Sequence, residues 1–135
     1  MIRVTAAILV NDGMLLIAKR GATARLPNLW DLPGGKIESG ETAEECLKRE
    51  LLEEFGIVVT VKDKVASNTH TYDFGTVELT AFRADWETGD FHSKDHQEIR
   101  WVFPHELDQF EFTPADIPFI ERIRKGEIEI EDENE

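Results

Sequence analysis

Residues Thr42 to Phe55 limit the fold most, because they read as an amphipathic helix whose apolar stripe is interrupted by acids. Thr42 followed three positions later by Glu45 is a capping-box pattern, the interior is rich in Glu, Leu, Lys and Ala, and Gly56 supplies the stop. At about 100° per residue, Ala43, Cys46, Leu47, Leu51 and Phe55 gather on one side, which predicts the core-facing stripe. Glu50 and Glu54 fall inside that stripe and Glu53 at its edge, while Glu44 and Glu45 read as an ordinary solvated face. One turn apart on a shared face, Glu50 and Glu54 repel by about 0.2–0.5 kcal/mol in water and by far more once desolvated. Arg49 projects to the other side of the wheel, so no ion pair along the helix is expected to offset them. A hard divalent cation is the simple remedy, since it binds carboxylate oxygens and retains waters that can meet a phosphate.

The rest of the chain is short and acidic. Its 135 residues, 41% hydrophobic, suffice for one domain with a modest core. Lys+Arg 15 against Asp+Glu 28 leaves a formal charge of −13, which speaks against a DNA or RNA polymer as partner, because that affinity comes from Lys and Arg on phosphates. A small phosphorylated ligand stays open, provided a cation lies between it and the carboxylates. No apolar run approaches the ~20 residues of a membrane span, and Thr5 to Val10 gives way to Asn11-Asp12-Gly13 too soon for a signal peptide. The single cysteine, Cys46, excludes an internal disulfide and a Cys-pair zinc site, and fits a reducing, cytoplasmic compartment.

Ile2 to Val10 and Met14 to Ala18, joined by Asn11-Asp12-Gly13, predict a hairpin. Gly21 to Gly35 reads as a structured loop with a short strand at Trp30 to Leu32. Strands are expected at Ile57 to Val65, Ser67 to Phe74 and Thr76 to Trp86, then a polar loop over 87–97 and a strand at Ile99 to Phe103. Pro104 to Leu107 predicts a helical turn, and Pro114 to Arg124 a last helix with Ile117, Ile120 and Ile123 on one side. Residues 1–126 are read as the one domain, and 127–135, with six acids and no base, as a solvated acidic tail. Several neighbouring strands are joined by turns too short for parallel crossovers, so an α/β fold with a mixed sheet and helices packed on it is expected.

Just ahead of the acid-bearing helix lies Gly34-Gly35-Lys36-Ile37-Glu38-Ser39-Gly40-Glu41. Glycines permit close backbone approach, but Gly35-Lys36-Ile37 is not the Gly-Lys-Ser/Thr of a phosphate-binding P-loop. Gly35, five residues, Glu41, seven residues, then Arg49-Glu50-Leu51-Leu52-Glu53-Glu54-Phe55-Gly56-Ile57 matches the Nudix box at every defined position. The chain resembles the MutT-like branch of the Nudix hydrolases over most of its length, through the opening hairpin, Leu32-Pro33-Gly34-Gly35-Lys36, the Glu98 to Trp101 segment and Thr113-Pro114-Ala115-Asp116-Ile117-Pro118. The resemblance implies a Nudix-type α/β/α sandwich and hydrolysis of a nucleoside diphosphate linked to another group. It implies that Glu50, Glu53 and Glu54 bind Mg2+ or Mn2+ together with the Gly35 carbonyl, and that Arg49 orients a carboxylate, with Glu41. A further acid from a later loop serves as ligand or base; Glu98 is the first choice and Asp95 fits the spacing nearly as well. Glu53 or Glu98 then takes the proton of the attacking water, giving a nucleoside monophosphate and pyrophosphate.

Asp116 matches the place where MutT-like enzymes set a base-reading Asn or Asp. An ionised Asp only accepts, which suits the exocyclic amino group of cytosine, whereas a protonated one would serve an oxidised guanine. This tilts the expectation to a cytidine-type triphosphate, as do the Pro-Ala-Asp-Ile-Pro string and His96-Gln97, which resemble pyrophosphohydrolases of that class. An 8-oxo-dGTP diphosphatase is the alternative, and Asp116 is equally readable as a cap of the last helix. Leu32, Phe74 and Phe112 are candidates to stack on a base, with core packing as the competing role, and Arg20 is a candidate phosphate or base contact.

His92 and His96 are four apart without the Glu of a His-Glu-x-x-His site, so they read as loop residues, and Cys46 as packing rather than a nucleophile. A hydrolase of nucleotide sugars or dinucleoside polyphosphates, and a regulator that binds nucleotides without cleaving them, are the competing functions. The small-molecule partner is thus a nucleoside triphosphate, with no membrane partner, and the chain is expected to be a monomer or homodimer.

Overall fold

The computed structural model describes residues 1–93 and 95–130. β1 (Ile2–Asn11) and β2 (Met14–Arg20) form the expected hairpin, with Asp12 at φ 53° and Gly13 at φ 76°. That double left-handed turn matches the twist of the strands it joins. The hairpin then splits. Only Val10↔Leu15 and Asn11↔Met14 pair, after which β1 runs antiparallel to β4 (Gly34–Lys36) and parallel to β6 (Gly75–Thr88). β2 instead pairs with β3 (Trp30–Asp31) and β7 (His96–Val102). β5 (Val58–Tyr72) closes the far edge on β6.

Alternation along the two central strands builds two cores. Ala6, Ile8, Leu15 and Ile17 face one side, where α2 (Ile117–Arg124) supplies Phe119, Ile120 and Ile123. Ala7, Leu9, Leu16 and Ala18 face the other, where α1 (Ala43–Phe55) supplies Leu47, Leu51 and Phe55. The result is the α/β/α layering with a mixed sheet that the sequence predicts. α1 has its full capping box, Thr42 and Glu45 bonding reciprocally to each other's backbone amides, and ends at Gly56 with φ 70°.

Several boundaries differ from the sequence reading. The two strands expected at 57–65 and 67–74 are one long strand, carried past Asp63 by register shifts between Val61, Lys64 and Ala66. β7 starts at His96 rather than Ile99, and the glycine pair forms a strand, not only a loop. α2 starts at Ile117, because residues 114–116 form a turn in which the Asp116 and Ile117 amides donate to the Thr113 carbonyl. The acidic tail does not leave the domain at residue 127. Ile128 and Ile130 are buried in the α2-side core, and the amides of Glu127 and Ile128 donate to the Arg122 carbonyl. Residues 131–135 of that tail lie outside the described residues.

β4 lies so close to β1 that a Cβ on Gly34 would sit 1.9 Å from the Thr5 carbonyl oxygen and 2.9 Å from the Ala6 Cα. Those are backbone atoms of a central strand and have nowhere to go. Gly34→Ala is therefore expected to cost more than about 3 kcal/mol or to abolish folding, which urea denaturation followed by circular dichroism will measure.

Candidate active site

The same glycine pair brings the chain against α1. A Cβ on Gly35 would lie 2.2 Å from the Glu50 carboxyl carbon, so only glycine leaves Glu50 its place. The Gly35 carbonyl accepts from Thr5 Oγ1 at 3.2 Å and is within 3.5 Å of Cys46 Sγ. Cys46 is fully buried there and burial pushes its thiol pKa up, which fits a packing role.

Arg49 does not turn away from the acids. Its Nε and Nη2 clamp Glu41 at 2.7 and 3.0 Å, while Nη1 donates to Glu50 at 3.0 Å and to Glu53 at 3.2 Å. Nη2 also reaches the Lys36 carbonyl at 3.2 Å, tying the glycine-rich segment to the helix. The wheel fixes where the Arg49 side chain leaves the helix, but its length carries the guanidinium back among the carboxylates. Glu41, hydrogen-bonded to Arg49 and to the Glu38 amide, is held at a pKa of about 2. Burial raises the Glu50 pKa even though Arg49 opposes the shift.

Glu50 and Glu54 line one cleft together with Asp95, Arg20, Asp31 and His96. Glu53 stands at the more open edge of the helix. Among the described residues, no three His, Cys, Asp or Glu side chains are already gathered around one point as metal ligands. The expected Glu98 is not part of this cleft. It bonds Arg100, whose guanidinium lies 5.9 Å over Phe110 on the α2 side, whereas Ile99 and Trp101 face α1. The register shift between Lys19 and Arg20 brings the start of β7 round to the acid cleft, so Asp95 and His96 reach it and Glu98 does not.

Of the five residues singled out for substrate, Arg20, Leu32, Phe74 and Asp116 line a second cavity of about 250 Å3. Phe112 does not; it is buried in the core and bridges to Trp30. Asp116 is not a helix cap. Although it precedes α2, its side chain makes no capping bond and instead accepts from the Thr113 hydroxyl and, at 3.3 Å, from the Leu32 amide. Burial raises its pKa to about 6.

Asp31 is the functional candidate that the sequence reading missed, and His96, expected in a loop, joins it from the start of β7. Asp31 accepts from Arg20 Nη1 at 3.1 Å through one oxygen, while its other oxygen is buried without a hydrogen bond, 3.9 Å from His96 Nε2. Burial and the nearby Asp116 charge push Asp31 up to about 8, against the pull of Arg20. His96 stacks on Phe55 at 5.3 Å, and burial, then Arg20, lowers its pKa. The available signal was an Asp set between Trp30 and Leu32, immediately before the glycines. The other loop histidine, His92, packs on Gly56 at the end of α1.

A family model described as NUDIX domain matches residues 1–123. The chain belongs to the Nudix family. This Nudix hydrolase is 40% identical over 125 residues to the CTP pyrophosphohydrolase of Escherichia coli (strain K12), covering 90% of each chain. It is 32% identical over 123 residues to the 8-oxo-dGTP diphosphatase of Haemophilus influenzae, again covering 90% of each. A crystal structure of the MutT protein from Methanosarcina mazei Go1 superposes with a TM-score of 0.83 at 27% identity, covering 95% of this chain and 96% of that one. Nudix hydrolases generally use a divalent metal, commonly Mg2+. No helix among the described residues is long and apolar enough to cross a membrane.

Asp31 and Asp116 also set a pH dependence. Both folded pKa values, about 8 and about 6, lie above the ordinary 3.8, so the folded protein holds protons that the unfolded chain has released. Their stabilising contribution is complete below pH ~4 and is lost as the pH rises through ~6 and then ~8, on the order of a few kcal/mol. Thermal melts at pH 5 and pH 8.5 should show that loss in the wild type and a smaller one in Asp31→Asn.

Proposed function

We propose that this Nudix hydrolase cleaves a nucleoside 5′-triphosphate of cytidine type to the monophosphate and pyrophosphate. One observation carries the reading: Arg20, Asp31 and Gly34 line both the nucleoside cavity and the acid cleft. A base seated beside Asp116 therefore has its polyphosphate at Glu50, Glu54 and Asp95. Burial raises the pKa of both Asp31 and Asp116, and the Asp116 charge raises that of Asp31 further, so the pair tends to hold a shared proton and to offer one donor and one acceptor. That pairing suits cytosine, which presents a donor amino group beside an acceptor ring nitrogen. Burial raises the Asp116 pKa, and the proton carried on Asp116 serves 8-oxoguanine, so 8-oxo-dGTP is the second reading.

The donor set fits Mg2+ or Mn2+, because Glu50, Glu53, Glu54, Asp95 and the Gly35 carbonyl offer only oxygen. A divalent cation, when bound, neutralises phosphate oxygens and acidifies water. The protein's own part is placement and proton handling. Arg49 fixes Glu50 and Glu53 against their mutual repulsion, with Glu41 taking the other side of the guanidinium. Glu53, at the open edge, is the proposed acceptor of the water proton, and Asp95 takes the place expected of Glu98. Arg20 anchors Asp31 and supplies positive charge where the two cavities join.

Incubation with Mg2+ and a panel of nucleotides, scored for pyrophosphate against orthophosphate, tests the reaction. Pyrophosphate from CTP-type substrates, with 8-oxo-dGTP next, is expected; orthophosphate, or cleavage confined to nucleotide sugars, overturns it. Glu54→Gln should lower turnover by at least about a hundredfold while circular dichroism shows the fold retained. Asp116→Asn should move the preference from cytosine towards oxidised guanine, read as the ratio of kcat/KM values for CTP and 8-oxo-dGTP.

A further inference from the structure

The nucleoside cavity is bounded on its outer side by a contact that the reaction just described leaves unused. Arg25 belongs to the segment between β2 and β3, where Leu26 at φ 52° and Asn28 at φ 66° adopt left-handed backbone and Arg25 and Leu26 join the cavity lining. The Arg25 guanidinium carbon lies 4.4 Å from the centroid of the Phe74 ring. Phe74 is itself stacked on Tyr72, at 5.0 Å and 8°, and Tyr72 in turn accepts the Ala115 amide next to Asp116. The Arg25 carbonyl accepts from Arg20 Nε at 2.6 Å, and Arg20 holds Asp31. The backbone of this segment is therefore tied to the buried acids, yet the side chain is held by a ring alone. Among the described residues no carboxylate pairs with Arg25, in a chain of net charge −13.

An exposed cation–π contact is weak, and a guanidinium stacks as well on a nucleobase as on phenylalanine. Arg25 and Phe74 are both exposed and both line the cavity, so the guanidinium lies within reach of a base bound there. Resting on the reading that this cavity takes the base, we propose that Arg25 is a substrate-recognition residue whose guanidinium leaves the Phe74 ring to lie on the face of the bound nucleobase. Arg25 borders the nucleoside cavity and not the acid cleft, which assigns it to the base and not to the phosphates. Every base has a π face, so the contact adds affinity without choosing among bases, and the choice stays with Asp31 and Asp116.

Steady-state kinetics on Arg25→Ala and Arg25→Lys, with CTP and 8-oxo-dGTP as substrates and inorganic tripolyphosphate as a competitive inhibitor lacking a base, tests this. Arg25→Ala should raise KM for both nucleotides about tenfold, with kcat, base ranking and tripolyphosphate inhibition held. Arg25→Lys should recover little, because the ammonium lacks the flat face. An unchanged KM, a fall confined to kcat, or an equal weakening of tripolyphosphate overturns the assignment. A second measurement does not depend on turnover. The Arg25 Nε–H resonance should shift on adding CMP and stay in place on adding pyrophosphate; no shift with CMP overturns the proposal. A wild type that cleaves no nucleotide on the panel but shows the CMP shift refutes the proposed reaction while keeping the Arg25 assignment.

Discussion

Everything in this site depends on a place where two backbones and a carboxylate meet with no room for a Cβ. Gly34 lies on Thr5 and Ala6 of the central strand, and Gly35 lies on Glu50 of α1. The close approach does two jobs. It lets β4 join β1, and it makes one thin stretch of chain the partition between the nucleoside cavity and the acid cleft. A bulkier residue at position 34 would push β4 off β1, and one at position 35 would displace the Glu50 carboxylate.

The second constraint is electrostatic. α1 buries its apolar stripe while placing Glu50 and Glu54 half-buried in the same arc. The stability of the helix comes from tertiary packing of Leu47, Leu51 and Phe55, its capping box and its glycine stop, not from the arrangement of its charges. Arg49 supplies the offset inside the protein, and its bidentate hold on Glu41 is the kind of planar pairing that a lysine does not reproduce. The guanidinium thus offsets the repulsion between Glu50 and Glu53 on the face that is proposed to meet a cation.

On the nucleoside side the same logic runs with opposite sign. Asp31 and Asp116 are both desolvated by burial, and among the described residues Arg20 is the charged group that opposes the rise in both pKa values. Burial raises both pKa values, and the Asp116 charge raises that of Asp31 further, so ionising both carboxyls at once is disfavoured. Net charge alone would suggest a surface hostile to nucleotides; Arg20, Arg25 and Lys36 nevertheless gather positive charge around the proposed nucleoside cavity.

Much of this was legible in the sequence. The amphipathic period of α1, its caps, the hairpin turn and the spacing from Gly35 to Ile57 are local patterns, and local patterns survive without a fold. The reading failed where distant segments decide. The register shift opposite Lys19 determined which acid of the 95–98 segment faces the helix, and no period-2 count reveals a bulge in a partner strand. Arg49 was assigned by the angle at which its side chain leaves the helix, although its reach sets its contacts. Asp31 was overlooked because its significance lies in a burial shared with Asp116, 85 positions away. The acidic tail was read by charge, whereas Ile128 and Ile130 anchor it through the apolar half of its alternation. The sequence by itself determined which acids must share one helix face, because 3.6 residues per turn leaves no freedom in that. Only the tertiary structure decided which acids, cations and rings from elsewhere meet them, because those distances depend on strand register and on how closely glycine lets two backbones approach.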